Sequence, residues 1–432
     1  MEEQPLPVDP VTGLPGQATL VPALRGAIAA ALRGGARFAL VVLDVDRLRE
    51  VNLVLGYEAG DRVLAAVAER LGRFGADRLF RASGDRFAMT VEGVDAGALR
   101  RRLATVLGHD VRLGEMALEV GLSAGIALFP DHGPDPDALL RAAELALDEA
   151  KGRGGRRAVV FEPGFEAALR RRKCIEGALR RAIRTRSFTL HFQPQFEIGT
   201  GAVVGVEALL RWPRKDGDPV PPGEFVPIAE ATGLIGPLGR WLFDEACRAA
   251  VRIRRAGSPV PVSVNVSPAQ LRQPDMAETV RHTLARHDLP PQALELEVTE
   301  GLFVDPAQTA IRRNLEALRA LGVRFALDDF GTGYSSLAYL KRLPAWRIKI
   351  DRCFVEGLGE TPEDEAILDA IVELGRVFGK RILAEGVETE RQCRVLAAHG
   401  CDEVQGFFLA RPMDADRLVA FLRERPTAAP PA

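Results

Sequence analysis

The sequence lacks any apolar run approaching the roughly 20 residues that a helix needs to cross a bilayer, which argues against a membrane-spanning helix. It has little cysteine. Cys174, Cys247, Cys353, Cys393 and Cys401 are odd in number, scattered, and free of CxxC spacing. That pattern argues against a disulfide or zinc framework and suits buried or free thiols in a reducing cytoplasm. It also lacks an excess of one charge: the formal net charge is −2, so nothing drives the whole chain toward a nucleic-acid polymer or an anionic membrane. The opening MEEQPLPVDP is acidic and proline-rich, unlike a signal peptide. No sensory domain is expected ahead of Asp9, and the closing residues 426–432, PTAAPPA, are expected to be disordered.

What is present is a chain of 432 residues, too long for one ordinary core and suited to two or three domains. Residues 1–162 alternate strands and helices, from RFALVVLDVD through a hairpin at Ser83-Gly84-Asp85 to ALEVGLSAGIALF and RRAVVF, and read as an α/β domain. Residues 163–186 read as a linker helix, with Phe165, Leu169, Ile175, Leu179 and Ile183 near a 3.6-residue period. Its run Arg170, Arg171, Arg172, Lys173 reads as a solvated face.

From Phe188 onward eight strand candidates follow: FTLHFQPQ, AVVGVEALL, VPVSVNVS, LELEVTE, VRFALDDF, RIKID, RILAEGVE and EVQGFFLA. Most are separated by helical patterns, and the set matches a (β/α)₈ barrel. Only FEIGTG lies between Gln195 and Ala202. A parallel crossover needs a dozen residues or more, so the first strand is predicted to run antiparallel to the second.

Six of these runs deliver a charged or metal-capable side chain at or near their end: Glu207, Asn265, Glu297, the pair Asp328–Asp329, Lys349 and Glu385. Any one of them is readily explained as a salt bridge or a helix cap. Six together, at strand ends that a barrel turns toward one mouth, point to a single site. All the candidate ligands are oxygen donors, which suits Mg²⁺, Mn²⁺ or Ca²⁺ rather than zinc or copper. Two ions sharing a carboxylate of Asp328–Asp329 are expected to activate a water and stabilise the leaving oxygen of a phosphodiester. Lys349 adds a cation beside the water or the phosphate. The segment Gly331-Thr332-Gly333-Tyr334-Ser335-Ser336 reads as a substrate-sensing lid.

The run Glu207-Ala208-Leu209-Leu210-Arg211-Trp212 resembles the signature of the EAL family of cyclic-di-GMP phosphodiesterases. The resemblance spans residues 173–425 and continues through Gln193-Pro194, Val264-Asn265-Val266-Ser267, Glu297-Val298-Thr299-Glu300, Asp328 to Ser336, Lys349-Ile350-Asp351, Glu385 to Thr389 and Gln405-Gly406. It implies a TIM-like barrel that hydrolyses cyclic di-GMP to the linear dinucleotide pGpG with Mg²⁺ or Mn²⁺. By that similarity Glu207, Asn265, Glu297, Asp328, Asp329 and Glu385 are metal ligands, and Lys349 and Glu385 act on the nucleophilic water. Gln193, Leu210, Arg211, Asp351, Glu388 and Gln405 hold the nucleotide, and Glu300 anchors the loop after Asp329. A homodimer through the EAL domain is implied as well. The runner-up reading is a receptor that binds cyclic di-GMP without turnover.

The first domain resembles the GGDEF family of diguanylate cyclases, imperfectly. Asp9-Pro10-Val11-Thr12-Gly13-Leu14-Pro15 and Asp44-Val45-Asp46, followed by Asn52 and Asp61, match that family's segments, but its signature reads Ser83-Gly84-Asp85-Arg86-Phe87. Arg86 stands where the cyclase carries an acid, and Gly155 where the family usually has an arginine on the phosphates. The resemblance implies Asp44 and Asp85 as metal ligands and Asn52 and Asp61 as guanine contacts. The expectation is a degenerate domain that binds GTP as an allosteric ligand without making cyclic di-GMP, a bifunctional cyclase and phosphodiesterase being the less favoured alternative.

Overall fold

The strand Phe38–Val45 (β1) is apolar at every position but Asp44, because both its faces are covered. Ala39, Val41, Leu43 and Val45 enter one hydrophobic cluster, while Phe38, Leu40 and Val42 enter another on the opposite side, the two-residue alternation of a pleated strand. The computed structural model describes residues 8–93, 95–113, 116–214, 217–300, 309–331 and 345–427. It divides into two units, Met1–Lys173 and Cys174–Ala432.

In the first unit β1 is joined by Arg78–Ser83 (β2), Arg86–Glu92 (β3), Gly108–Leu113 (β4), Met116–Phe129 (β5) and Ala158–Val160 (β6). The sheet order is β2-β3-β1-β5-β4, with β6 parallel to β5. Helices Gln17–Gly34 (α1), Leu48–Leu55 (α2), Tyr57–Arg73 (α3), Ala96–Ala104 (α4) and Pro136–Gly152 (α5) complete the unit. The start of α5 is fixed by Asp135, whose side chain accepts from Ala138 N at 2.8 Å, and by Pro136 in the first turn. Gly125 lets α5 lie close on β5, since a Cβ there would meet Ala143 O at 2.0 Å. Helix Gly164–Thr185 (α6) contains the division between the units.

The second unit is a closed barrel, as the sequence predicts. Its strands are Thr189–Glu197 (β7), Val203–Arg211 (β8), Val262–Asn265 (β9), Leu294–Thr299 (β10), Arg324–Phe330 (β11), Arg347–Ile350 (β12), Arg381–Ala384 (β13) and Glu403–Val404 (β14). Strand β7 is antiparallel to both neighbours, β8 and β14, and the other pairings are parallel. The short connection after Gln195 accounts for this reversal. Pro426, expected to begin a disordered tail, instead accepts a hydrogen bond from Val203 N at 3.0 Å, and Thr427 bridges the same residue. Residues 428–432 lie outside the described residues, as do 332–336 of the expected lid.

Candidate active site

Side chains two apart on a strand share a face, and this rule stacks two polar layers inside the barrel. The lower layer, toward the amino ends of the parallel strands, holds Gln195, Ser263, Glu295, Arg347 and Glu403, all at most 1% exposed. Arg347 Nη1 donates to Gln195 Oε1 at 2.6 Å and to Glu295 Oε1 at 3.2 Å, and its Nε lies 2.9 Å from Glu403 Oε2. Ser263 Oγ donates to Glu295 Oε1 at 2.8 Å. Gly205 on β8 leaves the room this layer needs, since a Cβ there would come within 2.5 Å of Gln195 Oε1.

Two residues nearer the mouth lies the upper layer: Glu207, Asn265, Glu297, Lys349 and Gln405, with Gln193, which precedes Gln195 because β7 runs the opposite way. Lys349, 1% exposed, places Nζ 2.7 Å from Glu297 Oε2, 3.0 Å from Asp328 Oδ1, 2.6 Å from Glu385 Oε1 and 3.9 Å from Glu207 Oε1. Asn265 Nδ2 donates to Glu207 Oε1 at 2.9 Å and Gln405 Nε2 donates to Glu207 Oε2 at 2.5 Å. Gln405 Nε2 also reaches Gln193 Oε1 at 3.2 Å, and Gln193 Nε2 donates to Ala410 O at 3.1 Å.

One lysine thus faces Glu207, Glu297, Asp328 and Glu385, with Asp329 beside them. Burial pushes Glu297 well above the usual carboxylate range, helped by the charges of Glu207, Asp328 and Glu385. Burial likewise carries Glu385 to about 8, against the pull of Lys349. Glu207 goes the other way: burial would raise it, but Lys349 and the hydrogen bonds from Gln405 and Asn265 outweigh that and hold it low. Burial opposes the charge on Lys349 too, yet the surrounding carboxylates keep its pKa well above the ordinary value. The mouth therefore carries more negative charge than its one cation neutralises.

Divalent cations fit this set by two observations: the donors are carboxylates and an amide, and Glu297 Oε1 is buried without a hydrogen-bond partner. No group of three such side chains closes on a common point at ligand distance among the described residues. The Lys349 ammonium holds the centre instead.

The remaining candidates stand at or just beyond the ends of the same strands. Asp329 has a left-handed backbone, φ +54°, uncommon outside glycine and frequent at functional sites; burial and then Asp328 raise its pKa. Gly331, φ +96°, donates its N–H to Glu300 at 3.2 Å. Leu210 is half-buried, and Arg211, at the end of β8, donates from Nη1 to Leu210 O at 3.0 Å. Asp351 caps the turn after β12 by accepting from Cys353 N at 2.9 Å, and Glu388 pairs with Arg352 at 3.2 Å. Sequence reasoning missed the lower layer, although Glu295, Arg347 and Glu403 stand two residues before Glu297, Lys349 and Gln405 in the same runs.

The first unit has its own cleft, of about 1020 Å³, whose walls include Asp44, Asp46, Asp85, Lys151 and Gly155. Asn52 stands on α2 among Val51, Val54 and Leu55, and Asp61 on α3 near Val63, all four of which line this cleft. Asn52 turns onto Gly60, where a Cβ would meet its Oδ1 at 1.8 Å, and that buried oxygen has no hydrogen-bond partner; Asp61 is exposed on α3. Burial raises the Asp44 pKa, against the pull of Lys151.

Comparison with known proteins places both units. A family model described as the EAL domain matches residues 176–412, and one described as the diguanylate cyclase GGDEF domain matches residues 7–157. The bifunctional diguanylate cyclase/cyclic di-GMP phosphodiesterase MucR of Pseudomonas aeruginosa is 39% identical over 95% of this chain, which spans 61% of MucR. The cyclic di-GMP phosphodiesterase NbdA of the same organism is 35% identical over 92% of this chain and 52% of NbdA. A solved PaMucR phosphodiesterase–c-di-GMP complex is 46% identical, with TM-score 0.54, over 57% of this chain and 99% of that one. Among the described residues no helix is long and apolar enough to cross a membrane. The chain belongs to the EAL domain family, with a GGDEF domain ahead of the EAL barrel.

Proposed function

We propose that the barrel hydrolyses cyclic di-GMP to linear pGpG and that the first unit binds GTP and modulates that reaction. The observation that carries the first half is the buried Lys349 ammonium surrounded by Glu297, Asp328, Glu385 and Glu207 at the mouth. The 46% identity to the c-di-GMP complex of PaMucR supports the choice of substrate.

In this reading Glu207, Asn265, Glu297, Asp328, Asp329 and Glu385 hold two Mg²⁺ or Mn²⁺ ions. When bound, such ions supply Lewis-acid stabilisation of the phosphodiester and lower the pKa of a water. The protein's own part is orientation and proton handling. Asn265 and Gln405 fix both oxygens of Glu207 and keep it ionised. Glu385, 2.6 Å from Lys349 Nζ, takes the proton of the attacking water. Lys349 places positive charge where the phosphorane oxygens develop negative charge. Gln193, Leu210, Arg211, Asp351, Glu388 and Gln405 form the rim that holds the nucleotide, and Glu300 anchors the backbone at Gly331.

The first unit retains Asp44 and Asp85 at a cleft, but Arg86 stands beside Asp44 at 3.4 Å, which supports binding without synthesis. We further propose a cytoplasmic homodimer assembled through the EAL domain. The five cysteines are all free, as a reducing compartment requires. Chromatography of cyclic di-GMP incubated with protein and Mg²⁺ or Mn²⁺, with and without GTP, tests the function. Conversion to pGpG that Glu207→Ala abolishes is the expected result. Unchanged substrate under every condition refutes turnover and leaves a receptor.

A further inference from the structure

Residue 86 opens β3 and pairs in register with Asp44 on β1. The Arg86 guanidinium reaches back across the strands, placing Nε 3.4 Å from Asp44 Oδ2 and Nη1 3.8 Å from Glu144 on α5. A second cation arrives from the last turn of α5, where Lys151 Nζ lies 2.6 Å from the same Asp44 oxygen. Asp44 has only 4% of its side chain exposed, whereas Arg86 and Lys151 keep 36% and 38%. The carboxylate is thus enclosed by the protein, while Lys151 lines the cleft and Arg86 stays partly exposed beside Asp44.

Asp46, the other acid of the Asp44-Val45-Asp46 run, is also engaged. It accepts from Ser123 Oγ at 2.7 Å and from Arg156 N at 3.1 Å. A divalent ion approaching Asp44 would have to displace Lys151 and then sit against two monocations. An anion approaching the same point meets two exposed cations already held in place.

We propose that the first unit carries Arg86 and Lys151 in the position of a divalent metal, so that its cleft takes no divalent ion at Asp44 and receives the phosphates of a purine nucleoside triphosphate as the metal-free species. The nucleotide half rests on the GTP binding proposed above; the exclusion of metal rests on the ion pairs alone. The consequence is a division within one chain. The barrel depends on divalent ions, and the first unit senses free nucleotide, whose concentration falls as Mg²⁺ rises.

Two measurements on the full-length protein test this. Counting bound Mn²⁺ by electron paramagnetic resonance reads the metal directly. Wild type and Asp44→Ala are expected to bind the same number of ions, while Arg86→Glu, with its folding checked by circular dichroism, gains one. Loss of an ion in Asp44→Ala, or no gain in a folded Arg86→Glu, overturns the proposal. Titration with a fluorescent GTP analogue then reads the nucleotide. The apparent dissociation constant, in total nucleotide, is expected to be more than about tenfold weaker in excess Mg²⁺ than in EDTA, and equal or tighter binding in excess Mg²⁺ overturns the metal-free species. An analogue that binds in neither condition refutes the GTP reading and the nucleotide half together, while the Mn²⁺ count decides the metal half by itself.

Discussion

In the proposed reaction Lys349 has two tasks, to offset part of the charge of the carboxylates around it at rest and to face a phosphate during turnover. Its removal separates them. Lys349→Ala is expected to lower kcat by about 10²–10³, the usual effect of deleting one preorganised electrostatic group, while Mg²⁺ affinity by calorimetry stays unchanged or rises, because a competing cation has gone. Glu207→Ala should lose metal and turnover together. Glu385 makes the site pH-dependent. Its folded pKa of about 8 lies above the ordinary glutamate value of 4.5, so between those values the folded state holds a proton that the unfolded state has released. Stability is then fully present below about 4.5 and is lost as pH rises toward 8. In EDTA the melting temperature should fall across that window, and Glu385→Gln should flatten the fall. Divalent ions must displace the proton, so their affinity should rise with pH and their binding should release protons into the buffer. The identity of Lys349 and of the acids was legible in the sequence because each closes an apolar run. The left-handed backbone at Asp329 was not, since neither Phe330 nor Gly331 beside it fixes the φ of Asp329.

Strand β12 shows why half of the barrel interior was read and half was overlooked. In RIKID, Lys349 sits at the carboxyl end, where barrel sites are sought, while Arg347 opens the run and passes for a surface residue. The same holds for Glu295 in LELEV and Glu403 in EVQG. Period-two spacing placed each of them on the inward face with its reactive neighbour; only the expectation that buried arginine is rare hid them. Arg347→Leu is expected to destabilise the barrel by about 3–5 kcal/mol, because it removes the buried cation between Glu295 and Glu403, leaving Glu295 to neutral donors and Glu403 to Arg381 alone. Combining it with Glu295→Leu and Glu403→Leu should recover much of that loss in a denaturant titration. The antiparallel β7 was legible from a six-residue connection alone, since chain length is a hard geometric limit. A motif fixes residue order and leaves side-chain direction to packing, as where Gly60 offers Asn52 a bare stretch of helix to lie against.

Among the described residues the two units, as proposed, meet negatively charged ligands in different ways, the barrel with carboxylates that call for metal and the first unit with Arg86 and Lys151 at Asp44. If the barrel is catalytic and the first unit regulatory, GTP should alter the rate of cyclic di-GMP hydrolysis, and Arg86→Glu should change that response without touching the barrel's residues. A comparison of rates with and without GTP at fixed free Mg²⁺ checks this. The lower polar layer has a consequence for traffic. Arg347, Glu295, Glu403, Gln195 and Ser263 close the barrel floor at no more than 1% exposure, so among the described residues the chamber is a cul-de-sac open toward the mouth. Whatever leaves must pass where the next molecule enters, and the linear dinucleotide keeps both bases and both phosphates of its parent. Product should therefore queue against substrate: added pGpG is expected to raise KM and leave kcat unchanged, and a fall in kcat at saturating substrate would point to an exit elsewhere.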